Sequence, residues 1–298
     1  MKCLMLAVAM ASPARAETLL TAHPAATALA RTLTAGTGVE VTAVAPEGLP
    51  ASRLPSYLGG RGREMLERAA GTADAVLTLR SLWPADPLYP AARRANIRIV
   101  ELDAAMPLDR RLPGIALLDP DPADLALYAM LGLEPMPPAG EETAPWLSPT
   151  RLGEMGEIAA ADLERLSPGD APAIRANLAR LKQDLRQVKT RADLALADLA
   201  NPEVVSFSPQ FGYLLADLGL ELRATVIAAP REWTPERAGL MAQWMQDEGI
   251  MTALATRELP ELLMQALDAG GRSVVILDSL PGDDLAADIA GNIARLAQ

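Results

Sequence analysis

Cysteine and histidine are almost absent from this chain of 298 residues, which has one of each, Cys3 and His23. Cys3 lies inside a leader-like segment, so the chain left after its removal has no thiol, which excludes disulfides, zinc fingers and thiol catalysis. Aromatic residues are scarce too: two Phe, four Tyr and four Trp leave few platforms for stacking nucleic-acid bases. Beyond the leader no segment holds about 18 uninterrupted apolar residues, so no membrane insertion is expected once the leader is cleaved. With one histidine, no remaining cysteine and no Gly-x-Ser-x-Gly elbow, the common nucleophilic triads lack their parts. The adjacent acids Glu141-Glu142 and Asp283-Asp284 read as solvated loops rather than catalytic pairs, so no enzyme is expected.

What is present begins with that leader. Met1-Lys2 gives a short basic start, Cys3 to Ala11 is mostly apolar, and Ala14-Arg15-Ala16 ends in small residues at an A-x-A spacing. Cleavage is expected before Glu17, and without a lipidation box before Cys3 the product is a free periplasmic protein. The whole chain has 27 basic against 38 acidic residues; loss of Lys2 and Arg15 leaves 25 against 38, a net charge of −13. That field disfavours nucleic acid or an anionic membrane as partner.

Short apolar runs alternate with amphipathic stretches, the pattern of strands joined through helices into parallel sheets. Strands are expected at Thr18–Thr21, Glu40–Val44, Ala75–Leu79, Ile97–Leu102 and, more weakly, Gly114–Leu118, then at Val204–Phe207, Leu222–Ile227, Thr252–Thr256 and Ser273–Leu277. Helices fall at Pro24–Leu33, Arg63–Ala70, Glu236–Asp247 and Leu259–Ala269. The longest helical pattern, Pro172–Leu199, carries Leu178, Leu181, Leu185 and Val188 at threes and fours and reads as an inter-lobe strut, or else as a coiled-coil face. The fold class is α/β: a leader (1–16), an N-terminal lobe (17–171), a linking helix (172–199) and a C-terminal lobe (200–298), with parallel-rich sheets and a ligand cleft between the lobes. Glu134–Pro145 reads as a loop.

The order of five short motifs carries a resemblance: Ala73-Asp74-Ala75-Val76, Trp146-Leu147-Ser148-Pro149, the helix with Asn177-Leu178-Ala179-Arg180-Leu181, Ser206 to Tyr213, and Leu277-Asp278-Ser279-Leu280. Together they make the mature chain similar to the ZnuA/TroA-like solute-binding proteins of ABC importers, which carry zinc, manganese or iron between two α/β lobes joined by a long helix. The resemblance implies three histidines and one carboxylate as metal ligands. The first histidine would fall within Ser52 to Gly60, where none occurs; the second position is Ala144 and the third is Ser208. Only the carboxylate is retained, as Asp278, which as a residue after a strand also suits a helix cap or turn. One carboxylate cannot hold a divalent ion tightly, so the familiar site is lost or rebuilt.

For a rebuilt site, His23 follows the first strand, at the end where open α/β sheets place ligands, and could bind metal or ligand, or simply sit at a helix start. Leu54 to Arg63 contains Tyr57, three glycines, Arg61 and Arg63; it could cradle an anion at a helix N-terminus or be a plain turn with solvated arginines. Arg80 ends a strand and should face the cleft, with Trp83, Trp146 and Tyr57 as flat packing surfaces. Converging arginines would repel a bare cation, so the expected ligand is anionic, such as a metal chelated by an organic carrier; any divalent metal would be zinc, manganese or iron. The alternative is an accessory carrier or interaction protein that gave up metal capture. Met241, Met245 and Met251 suit core packing better than copper(I) binding. The expected partners are an inner-membrane ABC permease and a small ligand, the expected state is a monomer, and the linking helix implies small lobe closure.

Overall fold

The computed structural model describes residues 16–117, 123–135, 143–197, 199 and 201–298. The leader to residue 15, Cys3, Leu118 and most of the 134–145 loop lie outside the described residues. Among those described, no helix is long and apolar enough to cross a membrane.

The first sheet forms from β1 (Thr18–Thr21), α1 (Pro24–Leu33), β2 (Glu40–Ala43), α2 (Leu54–Gly59), α3 (Arg63–Ala70), β3 (Ala75–Thr78), α4 (Leu88–Ala95) and β4 (Val100–Asp103). Its strands are parallel in the order β2-β1-β3-β4. Leu19, Ala75 and Leu77 face a core shared with α1, while Leu20 and Val76 face a second core shared with α2, α3 and α4. Burial on both faces is why these strands read as continuous apolar runs rather than alternating ones.

Beyond the first sheet come α5 (Ala123–Leu131), α6 (Pro149–Leu166) and α7 (Ala171–Leu196). The second sheet follows from β5 (Glu203–Ser206), α8 (Gly212–Leu218), β6 (Glu221–Thr225), α9 (Pro235–Asp247), β7 (Thr252–Ala255), α10 (Glu261–Ala269), β8 (Ser273–Ile276) and α11 (Leu285–Leu296). Its order, β6-β5-β7-β8, repeats the topology of the first, again all parallel. Two α/β lobes result.

The long helix α7 buries Ile174, Leu181, Leu185, Val188 and Ala192 against α6, α1, α8 and α11 of its own chain, so its apolar stripe is consumed within the fold. A Cβ on Gly156 of α6 would lie 3.1 Å from a Leu178 methyl, which shows how closely the two helices approach. The core around α6 and α7 is continuous, reaching Leu19 and Leu77 of the first sheet and Val204 and Leu254 of the second.

Three sequence expectations shift. The strand expected from Ile97 starts at Val100, because the Asn96 side chain bridges the Ala70 and Ala73 carbonyls and accepts from the Arg98 amide, holding Asn96–Arg98 in a turn with Ile97 exposed. Residues 114–117 are not a strand: Ile115 donates one backbone bond to Ala105 and the Ala116 carbonyl accepts from the Tyr213 hydroxyl, so the segment crosses between lobes. And α5, inside the stretch assigned to the N-terminal lobe, buries Leu127, Tyr128 and Leu131 with Val205, Ala224 and Met241 of the second lobe, so no single cut at residue 171 separates the two packing units.

Asp217 of α8 fastens this arrangement at the start of α6. Its carboxylate accepts from the Ser148 hydroxyl (2.6 Å), the Thr150 amide (2.8 Å) and the Thr150 hydroxyl (2.7 Å). Asp217→Ala leaves those donors unmatched and is expected to lower stability by roughly 2 kcal/mol in urea unfolding, with Asp217→Asn losing less; unchanged midpoints for both would contradict this.

Candidate functional site

Each sheet reverses its strand order beside its first strand, and such switch points leave a crevice outside the carboxyl ends of the strands. In the first lobe the crevice lies between β1 and β3; in the second, between β5 and β7. The two edges face one another, since Trp146, which packs on the segment after β1, donates its indole Nε1–H to the Ser279 carbonyl after β8 at 2.9 Å.

The first crevice is filled. His23 follows β1 and caps α1, its Nδ1 accepting from the Ala25 amide at 3.1 Å. Its ring meets Trp146 edge-on with centroids 4.7 Å apart, and Trp83 stands at 6.4 Å. All three side chains are buried. Burial lowers the imidazole pKa from 6.5 to about 4, so the ring is neutral near pH 7. Because Nδ1 accepts, Nε2 carries the hydrogen. Metal binding through Nε2 needs the opposite tautomer, which would aim an N–H at the Ala25 amide and break the cap. In this geometry His23, one of two residues nominated for a metal, offers no lone pair.

Asp278, the other, is 70% exposed in its side chain and paired with Arg295 at 2.7 Å, while its backbone is held on both sides by the Asn292 amide group. Among the described residues no group of three or more His, Cys, Asp or Glu side chains could hold a metal ion. Ala144, at the second expected histidine position, is fully buried.

The arginines do not converge. Arg80 pairs with Glu101 at 2.9 Å and lies over the Tyr89 ring. Arg63 pairs with Glu67 along α3 at 2.7 Å, and Arg61 is exposed in the α2–α3 turn. Gly62 in that turn makes room for the Tyr57 ring rather than for a ligand, and Tyr57 packs against the outer core of its own lobe. The side chains around Arg80 are mainly carboxyls, Asp86, Glu101 and Asp103, and burial raises the pKa of all three, that of Asp86 to about 6. Of the expected site residues, the structure therefore brings together His23, Trp146 and Trp83 with the backbone beside Asp278; Tyr57, Arg61, Arg63 and Arg80 stand apart.

The second crevice is open. A cavity of about 490 Å³ lies at the carboxyl ends of β5, β6 and β7, walled by Phe207, Trp233 and Leu259 and edged by Ser208, Arg257 and Glu258. Phe207 and Trp233 pack edge to face at 5.7 Å. Ser208, the third expected histidine position, caps the single-turn helix Pro209–Phe211 through its hydroxyl, which turns its side chain to backbone duty at the cavity wall. Apart from Ser208, sequence reasoning missed this cavity, although Arg257 and Trp233 follow two runs it recognised as strands.

A family model described as "Zinc-uptake complex component A periplasmic" matches residues 120–294, more than half of the chain. No curated protein sequence matches. Among solved structures, a crystal structure of ZnuA superposes with a TM-score of 0.70 at 18% identity, covering 95% of this chain and 98% of that one. A mutant of FpvC from Pseudomonas aeruginosa gives 0.70 at 19% identity, with 94% and 97% covered. A manganese-bound mutant of a periplasmic metal-binding protein from Candidatus Liberibacter asiaticus gives 0.69 at 13% identity, with 94% and 98% covered.

Proposed function

The chain belongs to the ZnuA family, the periplasmic metal-binding components of ABC importers, and on that premise we propose that it captures its metal as a complex with an organic carrier rather than as a bare ion. One observation carries this reading: the described residues hold no cluster of donors for a divalent cation, yet an open cavity stands at the second sheet's switch point. Tight zinc binding takes three or four nitrogen, sulfur or carboxylate donors, and manganese a set of oxygen and nitrogen ligands. Here His23 is a helix cap and Asp278 is neutralised by Arg295. The carrier complex, by contrast, presents its own organic surface to the protein, and the metal needs no protein ligand.

The protein acts in the periplasm after loss of residues 1–16, as a monomer that docks on an inner-membrane permease. The core that runs unbroken through α6 and α7 into both sheets supports small lobe adjustments on capture. Calorimetric titration of metal-stripped mature protein with zinc, manganese and iron, each bare and chelated, tests the proposal. Saturable binding is expected only with chelated forms; tight one-site binding of a bare ion would overturn it.

A further inference from the structure

The two lobes share one topology, yet their switch points differ. The one beside β1 is plugged by the buried rings of His23, Trp83 and Trp146, whereas the one beside β5 is open. Among the described residues, a ligand entering between the sheets therefore finds its depth in the second lobe.

We infer that the cavity outside β5, β6 and β7 binds a monocarboxylate with a flat apolar body, its carboxylate held by Arg257 and its body lying against Phe207, Trp233 and Leu259. This rests on the carrier reading above and names the part of the carrier that the protein grips. Arg257 is the cationic side chain in the lining, it is exposed, and among the described residues nothing pairs with it. Its planar fork suits a carboxylate in two-point contact. A guanidinium left unpaired in this acidic protein keeps its full charge for an incoming anion, unlike Arg63, Arg80 and Arg295, which carboxylates of the chain already neutralise.

The neighbouring Glu258, also exposed and without a partner among the described residues, sets the limit on ligand charge. A second anionic group on the ligand would be brought toward that carboxylate, so one negative charge is accepted and two are disfavoured. Phe207, only partly buried, meets the buried Trp233 ring edge to face and offers its own face to a planar body, and the volume suits a molecule of one or two rings.

The test uses 3,4-dihydroxybenzoate, a flat monocarboxylate that chelates iron(III) through its two phenolate oxygens and leaves its carboxylate free, offered to the mature protein metal-free and as its iron complex, with benzene-1,2-dicarboxylate as the doubly charged comparison. Calorimetry is expected to show one-site binding of both forms of 3,4-dihydroxybenzoate, weaker binding of the dicarboxylate, and a loss of about tenfold or more for Arg257→Ala, with Arg257→Lys intermediate. Because Arg257 pairs with nothing among the described residues, its variants should unfold at the parent midpoint, and Leu259→Ala, at a partly exposed lining position, supplies a second, apolar arm. Binding of the iron complex that neither Arg257→Ala nor Leu259→Ala weakens would overturn this site while leaving the carrier reading intact. Binding of bare iron in place of both forms would overturn the carrier reading, and no binding of 3,4-dihydroxybenzoate in either form would overturn the inference.

Discussion

Truncating Trp146 to alanine is expected to destabilise the protein by about 3–5 kcal/mol, the usual cost of removing a large buried ring from a core that cannot collapse around the gap. Trp146 is 3% exposed and lies in the core shared by both lobes, against the His23 ring. The truncation also leaves the Ser279 carbonyl without its indole donor and removes the wall that seals the first crevice. Trp146→Phe separates the two contributions, because phenylalanine keeps most of the apolar contact and loses only the hydrogen bond, worth roughly 1 kcal/mol. Urea unfolding of both variants, followed by circular dichroism, provides the measurement. A loss below about 1 kcal/mol for the alanine variant would mean that the ring is not a structural plug, and the asymmetry between the two crevices would lose its cause.

The fold was legible because each sheet is buried on both faces, so its strands appear as short apolar runs that no surface pattern obscures. Val204–Phe207 and Thr252–Thr256 were recognised to within a residue or so of β5 and β7. Edge strands were harder: Ile97 looks like strand in sequence, yet the side chain of the preceding Asn96, reaching back to the Ala70 and Ala73 carbonyls, delays the start of the strand to Val100. Helices α4 and α5 are short, and the destination of α5 in the second lobe depends on contacts about a hundred residues away, such as the Thr225 amide donating to Asp124.

Site residues divide along the same line. The engagement of Arg63 by Glu67 is readable, since the two stand four apart on a helix. That of Arg80 by Glu101, or of Asp278 by Arg295, is set by which elements pack together, and an arginine at a strand end looks equally free in sequence whether or not a carboxylate waits on the next strand. His23 offered a local sign that it was not free: a polar residue directly before a proline that opens a helix occupies the cap position, and a ring nitrogen that accepts an amide there cannot also bind metal.

His23 and Asp86 should impose opposite slopes on stability between pH 4 and 6, each on the order of 3 kcal/mol over its full shift. Burial depresses the His23 pKa to about 4, so in that window the unfolded chain binds a proton that the native state refuses, and stability falls as pH drops from 6.5 toward 4. Asp86 behaves in the reverse sense. Burial raises its pKa to about 6, against amide donors at Leu88 and Leu79 that favour the charged form, and the facing carboxylates Glu101 and Asp103 push it the same way as burial. Between 3.8 and 6 the native state holds the extra proton, so this group's contribution grows as pH falls and is lost as pH rises through about 6. The two shifts largely cancel in the parent protein, which hides both. His23→Asn, whose amide oxygen can still cap α1, should gain stability on acidification relative to the parent; Asp86→Asn should lose it over the same range. Taking the difference between the two variants' curves removes every titration they share, leaving a divergence on the order of 6 kcal/mol across the window. Parallel curves would show that the His23 ring is not sealed behind Trp146, and with it that the first crevice is open to ligand after all.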